Sequence, residues 1–162
     1  MKNHVAIISH DAGGAEILSS WLNHYDYSAS VVVEGPAKKI FKEKCPNAEY
    51  LNLDEALIKC NWVLSGTGWE SNFERKAISN AKNLGIKTVV FLDHWVNYIE
   101  RFDENGSMIL PDQIWVGDKE AERIAKNLFH TVPITLKSNP YFDDLRKKIN
   151  EFERSTFEKN ED

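Results

Sequence analysis

The chain has 162 residues, enough for one sizeable core and too few for two full α/β domains. Its 20 Lys and Arg against 25 Asp and Glu leave a net charge of -5 and a pI near 5.6, which excludes a strongly basic nucleic-acid surface; no nucleic-acid partner is expected. No window reaches the apolar length of a membrane span, and Met1-Lys2-Asn3-His4 runs into a short strand pattern without an apolar leader, so a cytoplasmic protein with no transmembrane segment is expected.

Val5-Ala6-Ile7-Ile8 reads as a strand, Ser9 to Glu16 as a turn carrying Gly13 and Gly14, and Ala15-Glu16-Ile17-Leu18-Ser19-Ser20-Trp21-Leu22 as a helix. Ser28 to Val33 is β-branched and apolar, Glu34-Gly35-Pro36 stops it, and a basic helix follows from Ala37 to Lys44. Asn47 to Leu51 reads as a short strand, and Asp54 as the cap of a helix through Glu55-Ala56-Leu57-Ile58. Cys45 and Cys60 lack CxxC spacing and read as reduced, ordinary residues; no cofactor is implied.

Trp62-Val63-Leu64-Ser65 forms the next strand, followed by Gly66-Thr67-Gly68-Trp69-Glu70-Ser71 and a helix from about Asn72 to Leu84 that Gly85 closes. Ile86 to Leu92 is a nearly continuous apolar run, the pattern of a parallel strand buried on both faces, and it leads into Asp93-His94-Trp95-Val96-Asn97-Tyr98. Arg101 to Pro111 is polar, with Asn105-Gly106 at its middle, and reads as a loop or irregular excursion. Gln113 to Val116 is a strand capped into a helix at Gly117-Asp118, Thr131 to Leu136 an edge strand because Pro133 cannot donate to a ladder, and Ser138-Asn139-Pro140-Tyr141-Phe142 turns into a long charged helix. The expected fold is α/β, a single doubly wound, mostly parallel sheet over residues 1–145, with a charged helix or tail over 146–162.

In that topology the strand-to-helix loops gather at the carboxyl ends of the strands, where ligands bind. Glycines in such loops admit a ligand close to the backbone, and the first turn of a helix favours an anion. Gly13 and Gly14, without GxGxxG or GxxxxGK[ST] spacing, mark either a ligand loop or merely a tight turn, with His10 beside them and Asp11 as ligand group or helix cap. Gly66, Thr67 and Gly68 offer a backbone nest and a hydroxyl, and Glu70 a carboxylate that the helix dipole favours in any case. Asp93 and His94 directly follow a buried strand, where a general base or a hydrogen-bonded pair would stand; alternation along an extended segment turns only one of them to the crevice. Trp95 and Tyr98 stack on a sugar or base, or pack under the polar excursion. Asn139 closes the last strand. His10, Asp11, Asp93 and His94 could hold a divalent metal, although no HxxxH or HxxE spacing supports it, so none is assigned.

Asp11-Ala12-Gly13-Gly14-Ala15, Gly66-Thr67-Gly68, Ile86 to Trp95, Leu110 to Gly117 and Ser138 to Asp143 together resemble, in order over residues 4–145, the N-terminal Rossmann-like half of GT-B glycosyltransferases and UDP-N-acetylglucosamine 2-epimerases. The resemblance implies that the Gly13-Gly14 loop lines an interdomain cleft and that Asp93 or His94 lies near a reacting hydroxyl as base or orienter. The half that supplies the sugar-nucleotide donor site in that superfamily has no counterpart after Phe142, which implies a separate partner chain or a homo-oligomer, a domain turned to other work, or a piece of a longer protein. The expected function is a sugar or sugar-nucleotide binding domain in polysaccharide or glycoconjugate synthesis, with catalytic Asp93, His94 and Asp11. The alternatives are a non-catalytic module for a phosphorylated metabolite and a metal-dependent hydrolase.

Overall fold

Strand β1 (His4–Ser9) is buried at every position, and its alternation divides the molecule: Val5 and Ile7 enter one core, Ala6 and Ile8 the opposite one. The computed structural model describes residues 3–158. From β1 the chain passes through helix α1 (Ala12–His24), strand β2 (Ser28–Val33), helix α2 (Ala37–Lys44), the short strand β3 (Glu49–Tyr50) and helix α3 (Leu53–Lys59). It then crosses back to β4 (Trp62–Ser65), α4 (Phe73–Asn83) and β5 (Lys87–Leu92). A two-stranded excursion, β6 (Asp103–Glu104) and β7 (Ser107–Met108), precedes β8 (Gln113–Val116), α5 (Lys119–Leu128), β9 (Ile134–Leu136) and α6 (Pro140–Glu158).

The main sheet has seven strands in the order β3-β2-β1-β4-β5-β8-β9, every neighbouring pair parallel. This is a Rossmann-like α/β arrangement, and the strand order reverses between β1 and β4. One face is covered by α1 and α2, whose Leu18, Trp21 and Phe41 pack with Val5, Val31 and Val89. On the other face Ala56 and Leu57 of α3 and Ala77 and Ala81 of α4 meet Ala6, Ile8 and Val63, and Ala121 and Ala125 of α5 meet Ile114 and Val116. No helix among the described residues is long and apolar enough to cross a membrane.

Several local expectations are corrected. Gly13 and Gly14 sit inside the first turn of α1, which begins at Ala12, and neither has a positive φ. The cap of α3 is Asn52, not Asp54: the Asn52 side chain accepts from the Glu55 amide while Glu55 reaches back to the Asn52 amide, and that reciprocal box fixes the start two residues earlier. The excursion is ordered, because Asn105 (φ 54°) and Gly106 (φ 84°) make the two-residue turn that pairs β6 with β7. Helix α6 runs unbroken across the expected 145/146 boundary, since Pro140 starts it; residues 159–162 of the expected tail lie outside the described residues. Gly85, as expected, takes a positive φ of 71° just past α4.

Candidate functional site

The carboxyl ends of β1, β4, β5 and β8 form one rim, and two clefts open on it that share Gly13, Asp93 and His94. The inner cleft, about 230 Å³, is walled by Ile17, Phe91, Trp95, Tyr141 and Phe142 and is mainly apolar. The outer one, about 520 Å³, is walled by His10, Asp11, Trp69, Glu70, Asn97 and Arg101 and is the more polar of the two. Asp93 and His94 therefore stand at the neck between an apolar and a more polar compartment. The expectation that only one of the two faces the crevice is corrected, since strand pairing ends at Leu92 and the chain bends after it.

Asp93 is the fixed point of this rim. Its side chain is 3% exposed, and its Oδ1 accepts from Arg101 Nη1 at 2.9 Å and from the Thr67 hydroxyl at 3.3 Å. The same Arg101 nitrogen donates to the Thr67 carbonyl at 2.8 Å and lies 2.9 Å from its hydroxyl, while Nε donates to the Val96 carbonyl at 3.3 Å. The buried carboxylate thus has a cationic partner and a hydroxyl donor on one oxygen. Oδ2 remains for His94, whose Nε2 lies 3.4 Å away on a ring that is 57% exposed. The exposed imidazole thus lies against a buried carboxylate, in contact with it but without a hydrogen bond, and Nδ1 likewise makes no hydrogen bond among the described residues.

Glycine is required at two places by crowding rather than by φ. A Cβ on Gly13 would overlap Asp93 Oδ2 and come within 3.3 Å of His94 Nε2, and one on Gly68 would lie 2.7 Å from Asp11 Oδ2. Gly14 and Gly66 touch across the switch point, where each would-be Cβ meets the other's Cα at 3.3–3.4 Å. Asp11 occupies the N-cap position of α1 in extended conformation, as the capping alternative expects, but its carboxylate makes no capping hydrogen bond and instead accepts from His10 Nδ1 at 2.8 Å. Beneath them Glu74, 2% exposed, accepts the His10 amide through Oε1 at 2.9 Å, while Oε2 makes no hydrogen bond of ordinary geometry. Burial, with a smaller push from the Asp11 carboxylate, raises the Glu74 carboxyl above its usual range against the His10 and Asp11 amides.

Of the remaining expected residues, Trp95 stands 57% exposed over the inner cleft, its indole N–H donated to Asp118 Oδ2 at 2.9 Å. Asn139 lines the same cleft, and exposed Glu70 lines the outer one. Tyr98 is a correction: it is 3% exposed, stacks on Phe129 within the β8/α5 core and lines neither cleft. Burial, aided by the Asp118 carboxylate, pushes its hydroxyl up to about 12. Among the described residues no group of three or more His, Cys, Asp or Glu is placed to hold a metal, so His10, Asp11, Asp93 and His94 do not converge as ligands: His10 turns to Asp11, and Asp93 to Arg101.

Arg101, Glu74, Trp69 and Asp118 are site residues that the sequence reading did not single out. Only Asp118 carried a local signal, as the cap whose Oδ1 accepts the Ala121 amide at 2.8 Å; its second oxygen then holds Trp95.

No family model matches the chain. No curated protein matches it either. Among solved structures it is similar to a hypothetical protein of Sinorhizobium meliloti, at 10% identity over 86% of each chain with a TM-score of 0.38.

Proposed function

We propose that the chain binds a sugar or sugar nucleotide across the two clefts and acts as a glycosyltransferase-like half domain in polysaccharide or glycoconjugate synthesis. The observation that carries this reading is the Asp93–His94 pair at the neck, a buried, Arg101-anchored carboxylate backing an exposed imidazole. Such a pair is the arrangement for taking a proton from a ligand hydroxyl: with Nε2 turned to the carboxylate at 3.4 Å, Nδ1 is the nitrogen left to accept, and the contact to Asp93 closes to a hydrogen bond as the ligand seats. The walls suit polyhydroxylated rings. Asp11 and Glu70 accept hydroxyl hydrogens, and an exposed indole lies at each cleft, Trp69 at 49% and Trp95 at 57% exposure. In this reading His94 is the base, Asp93 orients it, Asp11 fixes a neighbouring hydroxyl, and the donor half comes from a partner chain or a second copy closing over the outer cleft.

A thermal-shift panel of hexoses, sugar phosphates and nucleotide sugars tests it, because a ligand bound only by the folded chain stabilises it by about 2.7 kcal/mol at a hundredfold excess over Kd, a rise of roughly 5–10 °C for a chain of this size. His94→Ala is expected to keep that rise and to abolish transfer once the donor half is present. If no member of the panel moves the midpoint, the reading is wrong; if His94→Ala retains both binding and turnover, His94 is not the base.

A further inference from the structure

The inner cleft has a polar feature that its apolar walls do not explain. Asn139 is 9% exposed, and its Oδ1 accepts the Tyr141 amide at 3.1 Å, which assigns the other end of the amide as Nδ2. Asn139 lines the cleft, and its Nδ2 has no hydrogen-bond partner among the described residues. Beside it the chain has Gly117, where a Cβ would stand 3.3 Å from Asn139 Cβ and 3.5 Å from Nδ2. The space in front of the donor is thus kept open by the lack of a side chain. The Trp95 indole, held by Asp118, lines the same cleft. Nδ2 itself still meets solvent, so it is free to donate to an acceptor that enters the cleft. The volume, about 230 Å³, exceeds the roughly 150 Å³ apolar cavity that admits a benzene ring, so a single ring with one substituent fits.

We infer that the inner cleft is a subsite for one flat ring bearing a carbonyl oxygen, the ring lying between Trp95 and Phe91 and the oxygen accepting from Asn139 Nδ2. The inference rests on the reading of the outer cleft as a sugar site. It adds that the ligand is composite, with its hydroxylated part beside Asp11 and Glu70, its flat carbonyl-bearing part beside Asn139, and their junction at His94. Two sources share that chemistry, a nucleobase and an aryl amide or similar aglycone.

Heteronuclear NMR on the 15N-labelled chain separates the possibilities through the Asn139 side-chain amide, the Trp95 indole N–H and the Trp69 indole N–H. Titration with uridine, benzamide and toluene is expected to move the Asn139 and Trp95 signals with uridine, benzamide or both, the responding probe naming the source, and to do so at least tenfold more weakly with toluene, the factor one hydrogen bond supplies. Asn139→Leu is expected to lower the affinity for the responding probe about tenfold. If that variant unfolds, Gly117→Ala, which narrows the space before Nδ2, is expected to weaken the same probe without disturbing the Tyr141 cap. Equal response to toluene, or no movement of Asn139 with either carbonyl probe, overturns the inference. The outer reading is judged separately by movement of Trp69 with free hexose, so loss of one response does not imply loss of the other.

Discussion

Gly13→Ala is the substitution on which the rim geometry makes its sharpest demand. At a helical position with ordinary φ, replacing Gly by Ala normally stabilises by up to about 1 kcal/mol. Here the added carbon would occupy the place of Asp93 Oδ2, and Asp93 has little freedom to yield, since Arg101 at 2.9 Å and Thr67 at 3.3 Å hold its other oxygen in a site where both charged side chains are under 5% exposed. Displacing the carboxylate weakens a buried pair whose loss costs about 3–5 kcal/mol. The net expectation is a loss of about 2–4 kcal/mol, read as a lower urea midpoint at unchanged m-value. A double-mutant cycle isolates the cause: in an Asp93→Ala background the overlap is gone, and Gly13→Ala should become neutral or mildly stabilising. A Gly13→Ala protein as stable as the parent, or an equal loss in both backgrounds, would refute the reasoning.

Arg101→Met leaves the Asp93 carboxylate buried without its cation and should cost about 3–5 kcal/mol by urea unfolding, more than any exposed ion pair such as Arg123–Glu120 could. Gly85→Ala meets nothing within 4 Å, so its cost is the left-handed backbone alone, about 1–2 kcal/mol in the same assay. Glu74 is raised, so the native state holds its proton more tightly than the unfolded chain, and stability falls as pH climbs from 4.5 through the native value; Glu74→Gln should flatten that limb of a stability-versus-pH curve. His4 is lowered, first by burial and then by Lys59, while its ring nitrogens sit 2.7 Å from Ser28 and Ser30. Stability should therefore fall as pH drops below 6.5 toward the native value, and His4→Gln should remove that dependence, with the opposite sign to Glu74.

The alternation of strands and helices was legible because each strand's apolar run is short and each helix's stripe is periodic; the seven-stranded order follows from crossovers that sequence does not encode locally. The rim was legible in part. Gly66, Gly68, Asp93 and His94 follow strand ends and Gly13 opens the helix after β1, where this fold puts its ligands, and the structure brings them within one neighbourhood. Tyr98 stays open in sequence between a ligand contact and packing under the excursion, because a tyrosine four residues past a cleft residue reads alike whether it stacks on a ligand or on Phe129; the structure takes the packing alternative. Arg101 was passed over because its meaning lies in contacts with Thr67 and Asp93, 34 and 8 residues away, and a lone arginine in a polar stretch carries no sign of burial. The hairpin had a usable sign in Asn105-Gly106, but its strands are two residues each, too short for any alternation.

Arg101 also explains why the excursion belongs to the site. The segment from Asn97 to Leu110 leaves β5 immediately after the catalytic candidates, and an untethered loop there would let Asp93 and His94 wander. It is instead tied down by two adjacent residues: Arg101 clamps the β4 and β5 loop ends together, and Phe102, fully buried, packs edge-on against Phe129 at 5.1 Å. The Phe102 carbonyl then accepts the Ile109 amide at 2.7 Å, which closes the hairpin back on its own anchor. One residue thus supplies the cation that pairs with Asp93, and its neighbour supplies the packing that keeps that cation in place. Rigidity of the His94 backing carboxylate is therefore a property of the α5 core as much as of the rim.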